Sequence, residues 1–202
     1  MNRLRAAPVN PSTAPGHGAG NAPGAGEIHV DWLSLPGGAR LGMTHCPGRR
    51  GRDAQGRLWQ RDLGQDIDSL VRQGAGGLVS LIDDAEFAAL GVEALPQALA
   101  GRLLWLHMPV VNMHPPGTRA RAAWLGEGSW VQDELLAGRP VVFHCAAGLG
   151  RTGTIVAKVL TDLYGLCADE AVARVRGARP GTIESTAQEA FVRGERFLPG
   201  PA

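Results

Sequence analysis

The chain has 202 residues, 44% of them apolar, which suits one ordinary domain with a real core. Its net charge of +1 at pH 7 provides no global field for nucleic acid or an anionic membrane, and no apolar run approaches the roughly 20 residues that cross a bilayer. Three widely spaced cysteines, Cys46, Cys145 and Cys167, contain no CxxC pair, which argues against a disulfide framework or a zinc site and for a reducing, cytoplasmic setting.

Residues 1–26 are low-complexity Pro/Gly/Ala with no apolar h-region, so they read as a disordered tail rather than a secretory signal. Residues 27–198 carry the ordered pattern. IHVDWLSL (28–35) reads as a strand, and the basic, turn-rich stretch from Gly42 to Trp59 as loop. In residues 61–74, Leu63, Ile67, Leu70 and Val71 share a helical face that Gly74 ends. GLVSLI (77–82) is a buried strand, followed by helix around residues 83–90 and another turn or two within 92–101. RLLWLHMPV (102–110) is a strand, and Pro115 and Pro116 stiffen the loop after it. Residues 122–138 are amphipathic, with Trp124, Leu125, Trp130, Val131, Leu135 and Leu136 inward and Gly126 and Gly128 weakening the middle. RPVVFHC (139–145) is a strand and residues 152–165 a strongly apolar helix. Residues 168–181 form a helix closed by Gly and Pro. The last helix opens with Ser185 and Gln188 in capping-box spacing. Strands alternating with helices predict a single α/β domain with a largely parallel, buried sheet flanked by helices.

The segment HCAAGLGRTG (144–153) lies between a strand and a helix. A loop leading into a helix offers unpaired N–H groups and the positive end of the dipole, which together attract an anion. Ala146, Ala147, Gly148, Leu149 and Gly150 leave room for close approach, and the Arg151 fork suits two phosphate oxygens. A thiol at Cys145, at the base of that ring, is expected to be acidified and placed for in-line attack on phosphorus. The Thr152 hydroxyl is within reach to donate to it. No GK[ST] is present, which excludes a Walker loop.

With this loop, the stretches LGMTHCPGRRG, WQRDLGQDIDSLVRQG, HMPVVN and TIESTAQEAF follow an order that resembles the cysteine-dependent protein tyrosine phosphatase superfamily. The likeness is to its dual-specificity branch, near the cyclin-dependent-kinase-associated group and its bacterial relatives. The resemblance implies a protein tyrosine phosphatase-like fold of dual-specificity type. It casts Cys145 as nucleophile in a phosphocysteine mechanism, Arg151 as phosphate ligand and Thr152 as an aid to thiolate departure. His144 becomes the histidine that tunes the thiol, and Gln188 a residue near the hydrolytic water. It implies a monomer acting on a phosphorylated protein or a small phosphorylated substrate, with no cofactor, no metal, no nucleic acid and no membrane. The loop contains no lysine, so highly charged inositol headgroups are less supported.

One position departs from the pattern. Relatives carry a general-acid Asp where this chain has Asn112, and such an acid is worth about 10²–10⁴-fold. Three readings stand. His114 substitutes, although a loop histidine facing water is favoured for it. The enzyme acts slowly and prefers phosphotyrosine, whose phenol leaves readily. Or the protein binds phosphorylated partners without turnover. Asp133 and Glu134 read as the solvated face of a helix, His45 and His107 as structural, and Cys167 as packing. Cys46 reads as a core cysteine rather than a thiol that guards Cys145. Of the basic cluster Arg49, Arg50, Arg52, Arg57 and Arg61, the expectation is a solvated loop, with Arg61 free to pair with Asp62 or Asp66. The five tryptophans read as core.

Overall fold

A computed structural model describes residues 26–199. The predicted tail therefore lies outside the described residues, apart from Gly26. Strands β1 (Asp31–Ser34), β2 (Arg40–Thr44), β5 (Gly77–Ser80), β6 (Leu104–His107) and β7 (Val141–His144) form one sheet in the order β1-β2-β7-β5-β6. Only β1 runs antiparallel, and the four others are parallel. A separate antiparallel hairpin joins β3 (Arg50–Arg52) to β4 (Leu58–Gln60).

The seven expected helices become eight among the described residues. They are α1 (Leu63–Arg72), α2 (Asp84–Ala89), α3 (Leu95–Leu99), α4 (Thr118–Glu127), α5 (Ser129–Leu136), α6 (Gly150–Asp162), α7 (Ala168–Ala178) and α8 (Thr186–Arg193). The extra one arises because the 122–138 stretch breaks at Gly128, where a Cβ would lie 2.6 Å from the Trp124 carbonyl oxygen. Side chains alternate across the pleat, so Val141 and Phe143 of β7 enter one core and Val142 the other. The first core lies under α4–α8, and the second under α1 and α3 with Ile67, Leu70, Leu95 and Leu99. Helix α6 is buried along nearly its whole length, polar side chains included, and its buried Lys158 pairs with Asp162 at 3.0 Å.

Several sequence expectations are corrected. The stretch from Gly42 to Trp59 is not all loop: it holds the end of β2 and most of the β3–β4 hairpin, whose 3-residue strands are too short to show a strand pattern. Arg49 and Arg61 are buried rather than solvated, while Arg50, Arg52 and Arg57 are exposed. Arg61 pairs with buried Asp66, donating to both carboxylate oxygens, and Asp66 also accepts from the Gly48 N–H. Val71 is 41% exposed because the buried arc of α1 centres on Leu70, and the next residue turns about 100° away. Leu125 and Leu136, 60% and 72% exposed, also lie outside the buried arcs of their helices. Glu134 is buried rather than solvated and is held by Arg139. Cys167 is exposed at the N-cap of α7. Of the tryptophans, Trp124 is buried, while the other four are half-buried.

Among the described residues no helix is long and apolar enough to cross a membrane.

Candidate active site

The parallel strands end together: Thr44 of β2 and Ser80 of β5 both stand opposite His144 of β7. Loops leaving this carboxyl edge converge on one cavity, as parallel α/β sheets require. The cavity measures about 530 Å³ and is lined by Cys145, Ala146, Ala147, Leu149 and Arg151 at its floor.

The floor is the 145–150 loop, which turns into α6 at Leu149. Gly148 makes the turn possible. Its φ is +73°, and a Cβ there would collide with the Thr44 carbonyl and lie 2.8 Å from the His45 nitrogen. Two arginines set the direction of the peptides. Arg49 Nη1 donates to the Ala146 carbonyl at 3.1 Å, and Arg179 Nη2 donates to the Ala147 carbonyl at 3.0 Å. In a trans peptide the carbonyl and the following N–H point opposite ways, so both tethers turn the N–H groups of Ala147 and Gly148 inward. The Gly148 N–H accordingly donates to Cys145 Sγ at 3.2 Å.

Arg151 is 2% exposed and fully harnessed on one side. Both its terminal nitrogens bind Glu86, Nη2 at 2.8 Å to Oε1, and Nη1 also donates to the Val110 carbonyl at 3.0 Å. Burial opposes its charge, but the Glu86 pair outweighs it and holds the arginine above its ordinary pKa. Burial likewise opposes the charge of Glu86, which Arg151 nonetheless holds below the usual carboxylate range. Arg151 Nε is left buried without a partner.

Beneath Cys145 runs a hydrogen-bond chain. Trp105 Nε1 donates to Ser80 Oγ at 2.9 Å, Ser80 Oγ lies 2.7 Å from His144 Nε2, and His144 Nδ1 lies 3.3 Å from the Cys145 carbonyl. Indole can only donate and the carbonyl can only accept. A neutral His144 therefore satisfies every partner when its proton sits on Nδ1 and the serine hydroxyl donates to Nε2. Burial lowers its pKa to about 4, which keeps it neutral.

The remaining predicted residues are placed as follows. Thr152 Oγ1 is buried and makes no hydrogen bond, so no Thr152–Cys145 bond is present. Asn112 is exposed and lines the cavity, and its carbonyl oxygen lies 2.8 Å from His114 Nδ1. His114 itself lines a neighbouring cavity of about 430 Å³, not the one over Cys145. Gln188 is buried beside Gly150. Its Oε1 accepts from the backbone N–H groups of Glu184 and Ser185, closing the capping box of α8, while its Nε2 has no partner. Cys46 is buried, its N–H bound to the Ala146 carbonyl at 3.2 Å. Burial and the neighbouring Cys145 push its thiol pKa up.

Five wall residues escaped the sequence reading of the site. His45 lines the cavity with a buried, unpartnered Nε2, and burial with Arg61, Arg179 and Arg49 lowers its pKa to about 3. Asp53 and Trp59 come from the hairpin, with Arg49 stacked 4.6 Å over the Trp59 ring. Arg179 and Glu184 come from the segment between α7 and α8. Their only sequence signal is residue type. Glu86 was within reach of pattern reading, since Asp83 and Glu86 have capping-box spacing and form that box. Among the described residues no three His, Cys, Asp or Glu side chains are grouped to hold a metal ion.

Residues 56–163 match the model of a family described as Tc-R-P: polymorphic toxin system, DSP-PTPase phosphatase. Protein tyrosine phosphatase domain-containing protein 1 of Mus musculus is 43% identical over 137 residues, which are 68% of this chain and 18% of that protein. Dual specificity protein phosphatase CDC14C of Homo sapiens is 42% identical over 58 residues, 29% of this chain and 13% of the relative. The chain thus spans less than a fifth of the length of these curated relatives. Among solved structures, kinase associated phosphatase (KAP) with its catalytic-site cysteine replaced by serine has a TM-score of 0.71 at 22% identity. That match covers 83% of this chain and 93% of the other. Tk-PTP in the active form has a TM-score of 0.57 at 22% identity, covering 81% and 94%. Both likenesses are of fold: a mostly parallel sheet flanked by helices.

Proposed function

This chain belongs to the dual-specificity branch of the protein tyrosine phosphatase superfamily, and on that premise we propose that it is a cysteine-dependent phosphatase of phosphoproteins, with phosphotyrosine favoured. Residues 27–198 are the catalytic unit in this reading, and Cys145, His144, Arg151, Thr152, Asn112 and Gln188, with the 146–150 backbone, are its site. One observation carries it. Among the described residues, every buried side-chain nitrogen or oxygen without a partner belongs to His45, Arg49, Arg151, Thr152, Arg179 or Gln188. Four of these line the one cavity, Thr152 follows Arg151, and Gln188 abuts Gly150. Buried polar atoms are normally satisfied. Orphans gathered at one place, most of them donors, suit a missing acceptor-rich ligand such as a phosphoryl group.

The proposed chemistry follows from the placement. Phosphoryl oxygens take the inward N–H groups of the loop and the free side of Arg151. Cys145 Sγ, reacting as thiolate, attacks phosphorus in line; the P–S bond forms as the ester P–O bond breaks. Asn112 has no proton to give the leaving oxygen. A phenol, with a pKa near about 10, leaves far more readily than an aliphatic alcohol, hence the preference for phosphotyrosine. Water then cleaves the phosphocysteine. A thiol nucleophile needs a reducing compartment, so a cytoplasmic setting is part of the proposal. The test is phosphate release from an aryl phosphate by the purified protein in the presence of a chelator. Release that needs a divalent metal, or that survives Cys145→Ser, rejects the mechanism.

A further inference from the structure

With Asn112 in the acid's place, proton transfer must fall to another group, and the cavity offers few. Two carboxylates line it, Asp53 and Glu184. Asp53 is saturated. Its Oδ1 accepts from the N–H groups of Gln55 and Arg57 at 3.0 and 2.9 Å, and its Oδ2 from Arg57 Nε and Trp59 Nε1 at 2.7 and 3.0 Å. The Trp59 bond foremost, with those from Arg57, holds it well below the usual carboxylate range. A carboxylate with four donors has no site left for a proton. His45 is held neutral by its burial and, after that, by the arginines around it. Glu86 is committed to Arg151.

Glu184 differs in every respect. It is exposed at the mouth, forms no ion pair among the described residues, and its carboxylate takes a single hydrogen bond, from the Gly150 N–H to Oε2 at 2.7 Å. Gly150 begins α6 and belongs to the cradle, so this carboxylate sits where an oxygen of the bound phosphoryl group would lie. A second observation points to the same spot. Gln188 is 0% exposed and its Nε2 has no partner. A Cβ at Gly150 would collide with Glu184 Oε2 and lie 2.9 Å from Gln188 Nε2. An acceptor and an unused donor therefore flank one point above the first turn of α6, a pair of contacts that a water molecule can satisfy.

We propose that Glu184 is the general base of phosphocysteine hydrolysis, taking its proton from a water beside Gln188, the position where the family resemblance already expects one. This rests on the phosphatase reading above. Arrival of the phosphoryl group takes over the Gly150 N–H and releases the carboxylate. In the second step the water oxygen bonds to phosphorus, the P–S bond breaks with its electron pair returning to Cys145 Sγ, and the water proton passes to Glu184. Inorganic phosphate leaves, and Glu184 returns the proton to solvent. The base thus comes from the segment between α7 and α8, not from the loop that carries Asn112.

The experiment is stopped-flow release of nitrophenolate from p-nitrophenyl phosphate by the full chain, wild type beside Glu184→Gln, with phosphoenzyme measured by mass after acid quench. The variant is expected to show a burst of one nitrophenolate per site at the wild-type rate. A steady state slowed about 100-fold and accumulated phosphocysteine should follow. The burst itself reports an intact cradle, so a folding defect is not mistaken for the effect. Formate added to Glu184→Ala should restore turnover without changing the burst. Steady-state turnover within threefold of wild type and no phosphoenzyme overturns the proposal, as does loss of the burst along with turnover. If the wild type releases no phosphate, or Cys145→Ser still does, the phosphatase reading falls first and Glu184 with it.

Discussion

The carboxylate of Glu86 closes the capping box of α2 and grips Arg151 with both oxygens. The first turn of one short helix thereby fixes the orientation of a guanidinium that lies 65 residues further along the chain. A fork held on one edge presents its other edge, with the unpartnered Nε, to the cavity.

Breaking that grip should hurt both binding and stability. Glu86→Gln keeps the shape and the cap but removes the charge opposite a buried arginine. A loss of roughly 1–3 kcal/mol is expected by urea denaturation. KM for an aryl phosphate should rise about tenfold as Arg151 loses its pose. An unchanged KM would show that the Val110 and Leu81 carbonyls suffice to position Arg151.

The two tethers on the loop carbonyls give a second prediction. Arg49→Met and Arg179→Met keep bulk, but the first leaves the Ala146 carbonyl to the Cys46 N–H alone and the second releases the Ala147 carbonyl. Each should weaken competitive inhibition by inorganic phosphate several-fold, and the pair together more than the sum, since both hold adjacent peptides of one loop. Additive effects would instead mean that the arginines act only through their charge.

Gly148→Ala is predicted to be far more damaging than its size suggests. The residue sits at positive φ, and the added methyl would meet the Thr44 carbonyl and the His45 nitrogen, both backbone atoms that cannot swing away. Phosphatase activity should fall by at least 100-fold while the melting temperature drops by only a few degrees, because the strain is confined to the loop. Wild-type activity in this variant would place the phosphate elsewhere.

Restoring the missing acid tests the role of Asn112. Asn112→Asp should accelerate hydrolysis of alkyl phosphates by about 10²-fold and leave good aryl leaving groups nearly unaffected. No gain on an alkyl substrate would mean that the 109–116 loop does not bring this position to the leaving oxygen.

The buried histidines set a pH dependence of stability. His45 and His144 titrate in the fold near about 3 and about 4, below their unfolded value of 6.5. Between pH 6.5 and 4 the unfolded chain binds protons that the fold refuses, so stability is greatest above pH 6.5 and declines as the solution is acidified. Each histidine contributes a slope on the order of 1.4 kcal/mol per pH unit in that window. Denaturant unfolding of His45→Gln should show a correspondingly flatter slope over the same window.

What the sequence determined by itself was the local machinery. The HCAAGLGRTG segment is contiguous, and a strand end, a tight glycine turn and a helix start are each written in neighbouring residues. The α/β alternation and the capping box at Ser185 and Gln188 were legible for the same reason, since period and spacing are short-range properties. The tertiary structure alone decided what surrounds that loop. Glu86, Arg49, Arg179 and Glu184 lie 32 to 97 positions from the loop residues they hold, and no local pattern says which loop atom each will meet. The hairpin wall was missed because its strands are only 3 residues each, too short to show a period, and lie apart from the main sheet. Whether Leu125 or Leu136 is buried, or which arginine is, depends on the partner that packs beside it. A helical period specifies a direction around the helix, but only packing specifies what lies there.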